Sequence, residues 1–301
     1  MGRVSLVMPT LNGMRTLPRV FEALRSQQAA HDLEVVAIDS ESTDGTPAFL
    51  ERHGVTLLRI PRREFNHGTT RNLGIRNSTG DFIVLLVQDA VPVGNEWLTH
   101  LIAPFASDAS IAGTFGRQLP YEDASEITRW ALSRWVAAGG EPRVVGPLTP
   151  AEWRALTPAA RLDLCAFDNV CSCIRRSVWQ RHPFEPVVIA EDLGWSRDVL
   201  LDGHRIAFVP SACVRHSHER GAAYELERTS QVHQRLYELF ELTTVPTPVA
   251  LARSVASTLA SHAHVARGDG PAAMIRALSL GVAWPLGQYL GARAGRSRHC
   301  H

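Results

Sequence analysis

Over the first 116 residues, short apolar runs alternate with segments whose apolar residues recur every three or four positions. Val4–Met8, Leu33–Asp39, Thr56–Ile60, Phe82–Val87 and Ile111–Phe115 read as strands. Most end at a proline or a cluster of polar residues. Phe82–Val87 is apolar without a break, which suits a strand covered on both faces. Between the runs, Pro18–Gln28 carries Val20, Phe21 and Leu24 at helical spacing. Thr46–His53 predicts a helix capped by Asp44 or Thr46, and Thr69–Asn77 and Asn95–Ala106 predict two more. Strands alternating with helices at this spacing predict an α/β fold on a mostly parallel sheet flanked by helices.

The pattern loosens after Gly116. Ser125–Ala138 reads as a helix and is followed by a loop rich in Gly and Pro. Phe167–Ile174, Arg205–Val209 and Ala212–Arg215 predict strands, and Ser177–Arg181 and Ala190–Asp202 predict helices. The remainder reads as three long helices, Tyr224–Leu242, Pro248–Arg267 and Pro271–Arg293, with Pro246 and Pro248 marking a linker. Two domains are expected: residues 1–220, and a helical extension over 221–301.

Composition narrows the chemistry. The chain has 301 residues, with 31 basic against 30 acidic, a formal net charge of +1. No global field draws it to nucleic acid, and none is expected as a partner. The chain contains no lysine. That excludes a Schiff-base lysine and a Walker A lysine. Cys165, Cys171 and Cys173 cluster without a second pair at zinc-finger spacing, so buried thiols are expected. The apolar stretch before Pro9 is too short for a signal core. Ala277–Ala292 falls short of the ~20 apolar residues of a spanning helix. A cytoplasmic location is expected. Beyond Ala250, six Arg stand against Asp269 alone, interleaved with Trp284, Tyr289 and several Leu. That composition leaves two readings open: peripheral contact with the inner membrane face, or plain packing with solvated Arg.

Ligands on parallel sheets bind outside the carboxyl ends of the strands. Here those ends carry Pro9-Thr10-Leu11-Asn12, then Asp39-Ser40-Glu41-Ser42-Thr43-Asp44, then Gln88-Asp89-Ala90. Asp39 can accept a hydrogen bond from a base N–H or a ribose hydroxyl, or it can be a turn residue. The segment Asn66-His67-Gly68-Thr69-Thr70-Arg71 places two hydroxyls at a helix start, a natural anion site, and Arg71 offers a fork suited to phosphate. A capped helix with a surface Arg is the alternative. Asp89 leaves a buried strand as a single carboxylate. Mg²⁺ or Mn²⁺ on a diphosphate needs only one or two of these. Glu191-Asp192 opens a helix and can supply a base, while His216 or His218 can fold back onto a metal. In a strand, positions i and i+2 share a face, so spacing does not separate the two histidines.

These segments together resemble a family 2 glycosyltransferase with the A-type nucleotide-sugar-binding fold. Val4–Asn12 resembles its first strand and loop, Asp39–Thr46 its D-x-S-x-D-G-T segment, Gly80–Ala90 the strand ending in D-x-D, and Glu191-Asp192 its E-D motif. Val87 stands where the first Asp of D-x-D belongs, and Asp89 stands at the second. Phe65–Asn72 and Gln88–Pro92 resemble the bacterial rhamnosyltransferase branch, whose donor is dTDP-L-rhamnose. The resemblance implies inverting transfer, with Asp192 as base and a divalent cation, Mg²⁺ or Mn²⁺, on Asp89 and His216, with His218 as the rival ligand. It implies nucleotide-sugar contacts from Pro9, Thr10, Asn12, Asp39, Ser42, His67, Arg71, Gln88 and Asp89. Asp168, Asn169, Glu191 and Trp195 are the candidates for sugar or acceptor contacts, Trp195 being equally a core residue. The implied acceptor is a glycan or a lipid-linked glycan of cell-surface polysaccharide synthesis, and a homo-oligomer is compatible with all of this. A UDP-sugar donor, a non-catalytic nucleotide-sugar-binding protein and a nucleotidyltransferase remain as alternatives. The intact Glu191-Asp192 speaks against the second. The absence of a convincing triphosphate-binding residue in Leu11-Asn12-Gly13 speaks against the third.

Overall fold

The computed structural model describes residues 2–28 and 33–299. Its strands are β1 (Val4–Thr10), β2 (Glu34–Asp39), β3 (Thr56–Arg59), β4 (Phe82–Leu86), β5 (Val91–Pro92), β6 (Ile111–Leu119), β7 (Arg143–Val145), β8 (Cys171–Arg175) and β9 (Arg205–Arg215). They form one sheet in the order β3-β2-β1-β4-β8-β6-β9-β5, with β7 also on β9. The strands β3, β2, β1 and β4 are parallel neighbours. β8 runs against both β4 and β6, while β9 runs parallel to β6. The sheet is therefore mixed, but β3, β2, β1, β4, β6 and β9 all point the same way.

Burial explains why the first strands are so apolar. Leu6, Val7 and Met8 of β1 and Ile83, Val84 and Leu85 of β4 are fully buried, so both faces of the sheet are covered. One core packs Leu17, Val20, Phe21 and Leu24 of the helix Leu17–Arg25 against Leu6, Met8, Val84 and Leu86. Trp97 closes that core and donates its indole N–H to Cys171 Sγ at 3.3 Å. Cys165, Cys171 and Cys173 are buried free thiols, and burial pushes Cys165 and Cys171 up to about 12. Cys300 lies outside the described residues.

Several expected elements differ in extent. The helix after Asn66 starts at His67, because the Asn66 side chain accepts from Thr69 N at 3.1 Å. The helix Thr46–Arg52 starts behind Gly45 at φ 88°. Asp44, two residues before Thr46, accepts from Thr46 N at 3.1 Å. The strand expected over Phe167–Ile174 begins only at Cys171, since Asp168 and Asn169 form a turn in which Asp168 Oδ1 accepts from Val170 N at 2.9 Å. The two short strands over 205–215 are one strand, carried past Pro210 by a register shift opposite Gly116 and Arg117. A Cβ on Gly116 would lie 2.2 Å from the Ala212 carbonyl oxygen, so only glycine fits at that irregularity. The helices Pro150–Ala155 and Pro158–Leu164 were not legible as elements.

The chain divides into two compact units. The sheet unit holds Met1–Leu119, Val136–Ala155 and Leu164–His216. The helical unit holds Pro120–Trp135, Leu156–Asp163 and Ser217–His301, and so takes in two segments besides the expected 221–301. Its long helices are Ala222–Phe240, Pro248–Val265 and Pro271–His299. The last of these packs its Gly291 against Ala222–Phe240 so closely that a Cβ would lie 2.1 Å from Ser230 O. The side chain of His262 is buried between Trp130 and Trp284, at ring distances of 5.3 and 5.0 Å. Trp284 donates to Glu225 at 3.3 Å, and Arg293 donates to the Tyr289 hydroxyl at 2.7 Å. Among the described residues, no helix is long and apolar enough to cross a membrane.

Candidate active site

The chain leaves β1 outward to β2 and β3, then returns to the other side of β1 as β4. Such a switch point opens a crevice at the strand carboxyl ends, which here means Thr10, Asp39 and the Val87-Gln88-Asp89 segment. Because β8 is antiparallel to β4, with Leu86 opposite Cys171, the preceding Asp168-Asn169 turn reaches the same edge. β6 and β9 end there too, with Leu119 opposite Arg215, and His216 N donates to Leu119 O at 2.8 Å. The two-residue β5 pairs Val91 with Arg215 and thereby brings Asp89 beside His216.

The loops after β1 and β2 form one hydrogen-bonded cluster. Asp39 is 1% exposed and accepts from Thr10 Oγ1 (3.1 Å), Ser42 N (2.9 Å) and Ser42 Oγ (2.5 Å). Asn12, at φ 49°, accepts from Thr43 N at 2.8 Å, while its own N–H donates to Ser42 Oγ. Gln88 clamps the backbone N–H and C=O of Leu11. Its Oε1 accepts from Leu11 N at 2.8 Å, and its Nε2 donates to Leu11 O at 2.9 Å. Pro9 sits within β1, opposite Ile38.

The second cluster gathers carboxyl groups. Glu191 and Asp192 open the helix Glu191–Leu201, where the helix dipole favours negative charge. The preceding Ala190 is held at φ 59°, an uncommon conformation for a residue with a Cβ and one that recurs at functional sites. Glu191 is buried and ion-paired with Arg71 Nη1 at 2.6 Å, and Nη1 also lies 3.1 Å from His67 Nδ1. Burial pushes the Glu191 carboxyl up, but Arg71, His67 and the Asn169 amide together bring it below its ordinary value. Asp192 moves the other way. Burial, then the Glu191 and Asp168 carboxylates, raise it well above the usual carboxylate range. Two adjacent carboxyls with opposite shifts suit one fixed anion and one group of raised proton affinity.

Some expected placements change. Trp195 is not a sugar platform. It is 2% exposed, with its ring against Phe167 and Phe184 at 5.1 and 6.0 Å. Arg71 does not present a fork to phosphate, because it is 4% exposed and its Nη1 is engaged by Glu191. Glu191 and Asn169 are likewise buried. Asn169 donates from its backbone N to Asp192 Oδ2 (3.2 Å) and from its amide to Glu191 (3.1 Å), and it accepts from Ser172 Oγ (2.8 Å). Their polar atoms are engaged with one another and with Asp192, away from solvent.

Asp89, His216 and His218 offer ligand atoms that all lie within 4.8 Å of one another. One carboxylate and two imidazoles fit a divalent cation whose remaining positions go to phosphate oxygens and water. His216 Nε2 lies 3.7 Å from Asp89 Oδ1, and His216 Nδ1 lies 2.9 Å from the amide oxygen of Gln118. Gln118 was invisible in the sequence. The apolar signal of β6 stops at Phe115, and the polar continuation reads as loop.

Known proteins resemble this chain in sequence and in fold. Residues 5–143 match the model of Glycosyl transferase family 2. The O-antigen chain rhamnosyltransferase RfbN of Salmonella typhimurium is 28% identical over 230 residues, covering 75% of this chain and 70% of its own length. The O-antigen chain rhamnosyltransferase WbaN of Salmonella anatum is 28% identical over 238 residues, covering 76% and 70%. Among solved structures, the mannosyltransferase PcManGT from Pyrobaculum calidifontis, in complex with GDP-Man and Mn²⁺, aligns at TM-score 0.56 and 19% identity. That alignment covers 99% of this chain and 75% of that one. Glucosyl-3-phosphoglycerate synthase from Mycobacterium tuberculosis, in complex with Mn²⁺, UDP and glucosyl-3-phosphoglycerate, aligns at TM-score 0.56 and 19% identity over 80% and 81%. The fold is the glycosyltransferase A-type, and the chain is a glycosyltransferase carrying a Glycosyl transferase family 2 domain.

Proposed function

We propose that the chain transfers L-rhamnose, with inversion, from dTDP-L-rhamnose to a glycan or lipid-linked glycan acceptor. The observation that carries this reading is the 28% identity to two O-antigen chain rhamnosyltransferases, in a chain whose sheet edge brings Asp89 beside His216 and holds Asp192 on the Asn169 N–H. Asp192 takes the proton of the acceptor hydroxyl as that oxygen attacks the anomeric carbon. The Arg71–Glu191 pair fixes the negative charge beside it, and Asn169 N holds Asp192 Oδ2 in place. Asp89 and His216, joined by His218, would hold a divalent cation. When bound, it supplies charge neutralisation to the departing nucleoside diphosphate. Two imidazoles in the set favour Mn²⁺ over the harder Mg²⁺. The clustered loop of Pro9, Thr10, Asn12, Asp39 and Ser42, clamped by Gln88, forms the nucleotide face, and His67, at the head of its helix beside Arg71, is a further candidate for the donor. Asp168 is the remaining candidate for a sugar contact.

In this reading residues 1–220 carry catalysis. The packing of Trp284 and Tyr289 within the helical unit favours a structural role for residues 221–301 over a membrane-facing one, and a cytoplasmic location agrees with a nucleotide-sugar donor. The test is release of nucleoside diphosphate from dTDP-rhamnose and from UDP-sugars, with Mn²⁺, Mg²⁺ or chelator. Metal-dependent release of dTDP is expected. A clear preference for UDP-sugars would move the donor to another branch. Tight donor binding with no release under any condition would favour a non-catalytic nucleotide-sugar-binding protein.

A further inference from the structure

The Gln118 amide, at the carboxyl end of β6, lies between two charged parts of the site. It is 5% exposed. Its Nε2 donates to Asp168 Oδ2 at 2.5 Å, and its Oε1 lies 2.9 Å from His216 Nδ1. The orientation of this amide follows from chemistry alone. An ionised carboxylate only accepts hydrogen bonds, so the NH₂ group of Gln118 must face Asp168. The reverse orientation would set the amide oxygen against a carboxylate oxygen and the NH₂ against the imidazole. With Oε1 thus facing His216, Nδ1 must carry a proton, and in the neutral imidazole Nε2 then keeps its lone pair. That nitrogen is the one turned toward Asp89 Oδ1, at 3.7 Å.

We infer that Gln118 is a positioning residue that locks His216 in the Nδ1–H tautomer, so that Nε2 is the atom ligating the cation. A metal-bound histidine commonly donates its other N–H to an oxygen that fixes both ring and tautomer, and loss of such a partner costs about 10–100-fold in metal affinity. Gln118 does more than supply that oxygen. The same amide ties the ligand to Asp168, whose carboxylate helps raise Asp192 and whose turn contains the Asn169 N–H that holds it. A simple filler of the core would need neither polar contact. The inference rests on the proposed metal site.

Two measurements on the full chain test it. Mn²⁺ binding is titrated on wild type and Gln118→Leu, following free Mn²⁺ by electron paramagnetic resonance. In parallel, the histidine tautomers of the metal-free wild type are read by long-range ¹H–¹⁵N correlation, with His216 assigned by its loss in His216→Gln. The expected result is a pure Nδ1–H pattern for His216, and Mn²⁺ affinity lower by about 10–100-fold in Gln118→Leu with its thermal unfolding still cooperative. Equal Mn²⁺ affinity in the two proteins overturns the inference and leaves the metal site standing. An Nε2–H tautomer in the wild type overturns it without any variant, which covers the case of Gln118→Leu failing to fold. No Mn²⁺ binding by a wild type whose His216 is in the Nδ1–H form would instead bring down the metal site itself, and the inference with it.

Discussion

The loop cluster after β1 and β2 and the carboxyl cluster after β4 and β8 occupy the same sheet edge, yet they solve opposite problems. In the first, the polar groups complete one another: Asp39 with Thr10 and Ser42, Asn12 with Thr43, Gln88 with Leu11. The carboxyl of Asp39 meets three donors. In the second, Glu191, Asp192 and Asp168 crowd together, and one buried Arg71 is ion-paired to only one of them. The first cluster is a frame shaped by its own hydrogen bonds. The second raises the proton affinity of one carboxyl through burial and its acidic neighbours, which makes it the candidate for proton transfer.

Substitutions at Asp192 break the contrast most severely. Asp192→Asn keeps the size and much of the hydrogen bonding but cannot take a proton. Turnover should fall by roughly 10²–10⁴-fold with donor affinity unchanged, as read by steady-state kinetics beside calorimetric donor titration. Wild-type turnover would remove Asp192 from the role. The pH profile sharpens the point. A base must be unprotonated to act, so a raised Asp192 places the acid limb of kcat/KM above the ordinary carboxylate range. Glu191→Gln removes a neighbouring negative charge and leaves the Arg71 charge unneutralised, and the net effect is to lower Asp192. The acid limb should therefore move to lower pH. An unmoved limb would assign it to another group.

Next in size is the ion pair itself. Arg71→Met leaves a buried Glu191 without its cation, and breaking such a pair from one side costs about 3–5 kcal/mol. Denaturant unfolding at neutral pH measures this directly. The pH dependence has a definite sign. Glu191 is held below its ordinary value, so the pair stabilises the fold above that value, and the contribution is lost as pH falls through the lowered one. The deficit of Arg71→Met should be widest near neutrality and narrow in acid. A deficit that grows in acid would mean that Arg71 stabilises the fold by some other route.

The two regions also differed in how far they could be read beforehand. β1, β2 and β4 were legible because strands buried on both faces must be apolar along their length, and chain order then put Thr10, Asp39 and Gln88 at their carboxyl ends. The carboxyl cluster depends on pairings that leave little local trace. β5 is two residues long, β8 is antiparallel where parallel neighbours were expected, and β6 reaches Gln118 only by pairing with β9 across an irregularity at Gly116. Composition could not decide whether Trp195 faced sugar or core, since an indole suits both. Its burial beside Phe167 and Phe184 follows from tertiary packing alone. Nor could Arg71, sound as a phosphate fork by chemistry, reveal that Glu191, 120 positions later, would fold onto it.

The smallest effect is expected in the loop cluster, at Gln88. Its side chain makes two hydrogen bonds to one residue, at Leu11 N and Leu11 O, and so fastens the turn after β1 to the end of β4. Net contributions of about 0.5–1.5 kcal/mol per hydrogen bond put the loss in Gln88→Ala at about 1–3 kcal/mol of unfolding free energy. Gln88→Glu separates geometry from charge. The carboxylate can still accept from Leu11 N, but its other oxygen meets Leu11 O as an acceptor against an acceptor, so the variant should recover little of the loss. If the cluster is a frame and not a reacting group, both variants raise KM for the donor while turnover at saturating donor stays near wild type. A fall in saturating turnover as large as that of Asp192→Asn, with donor affinity retained, would place Gln88 in the chemical step and erase the distinction between the two regions.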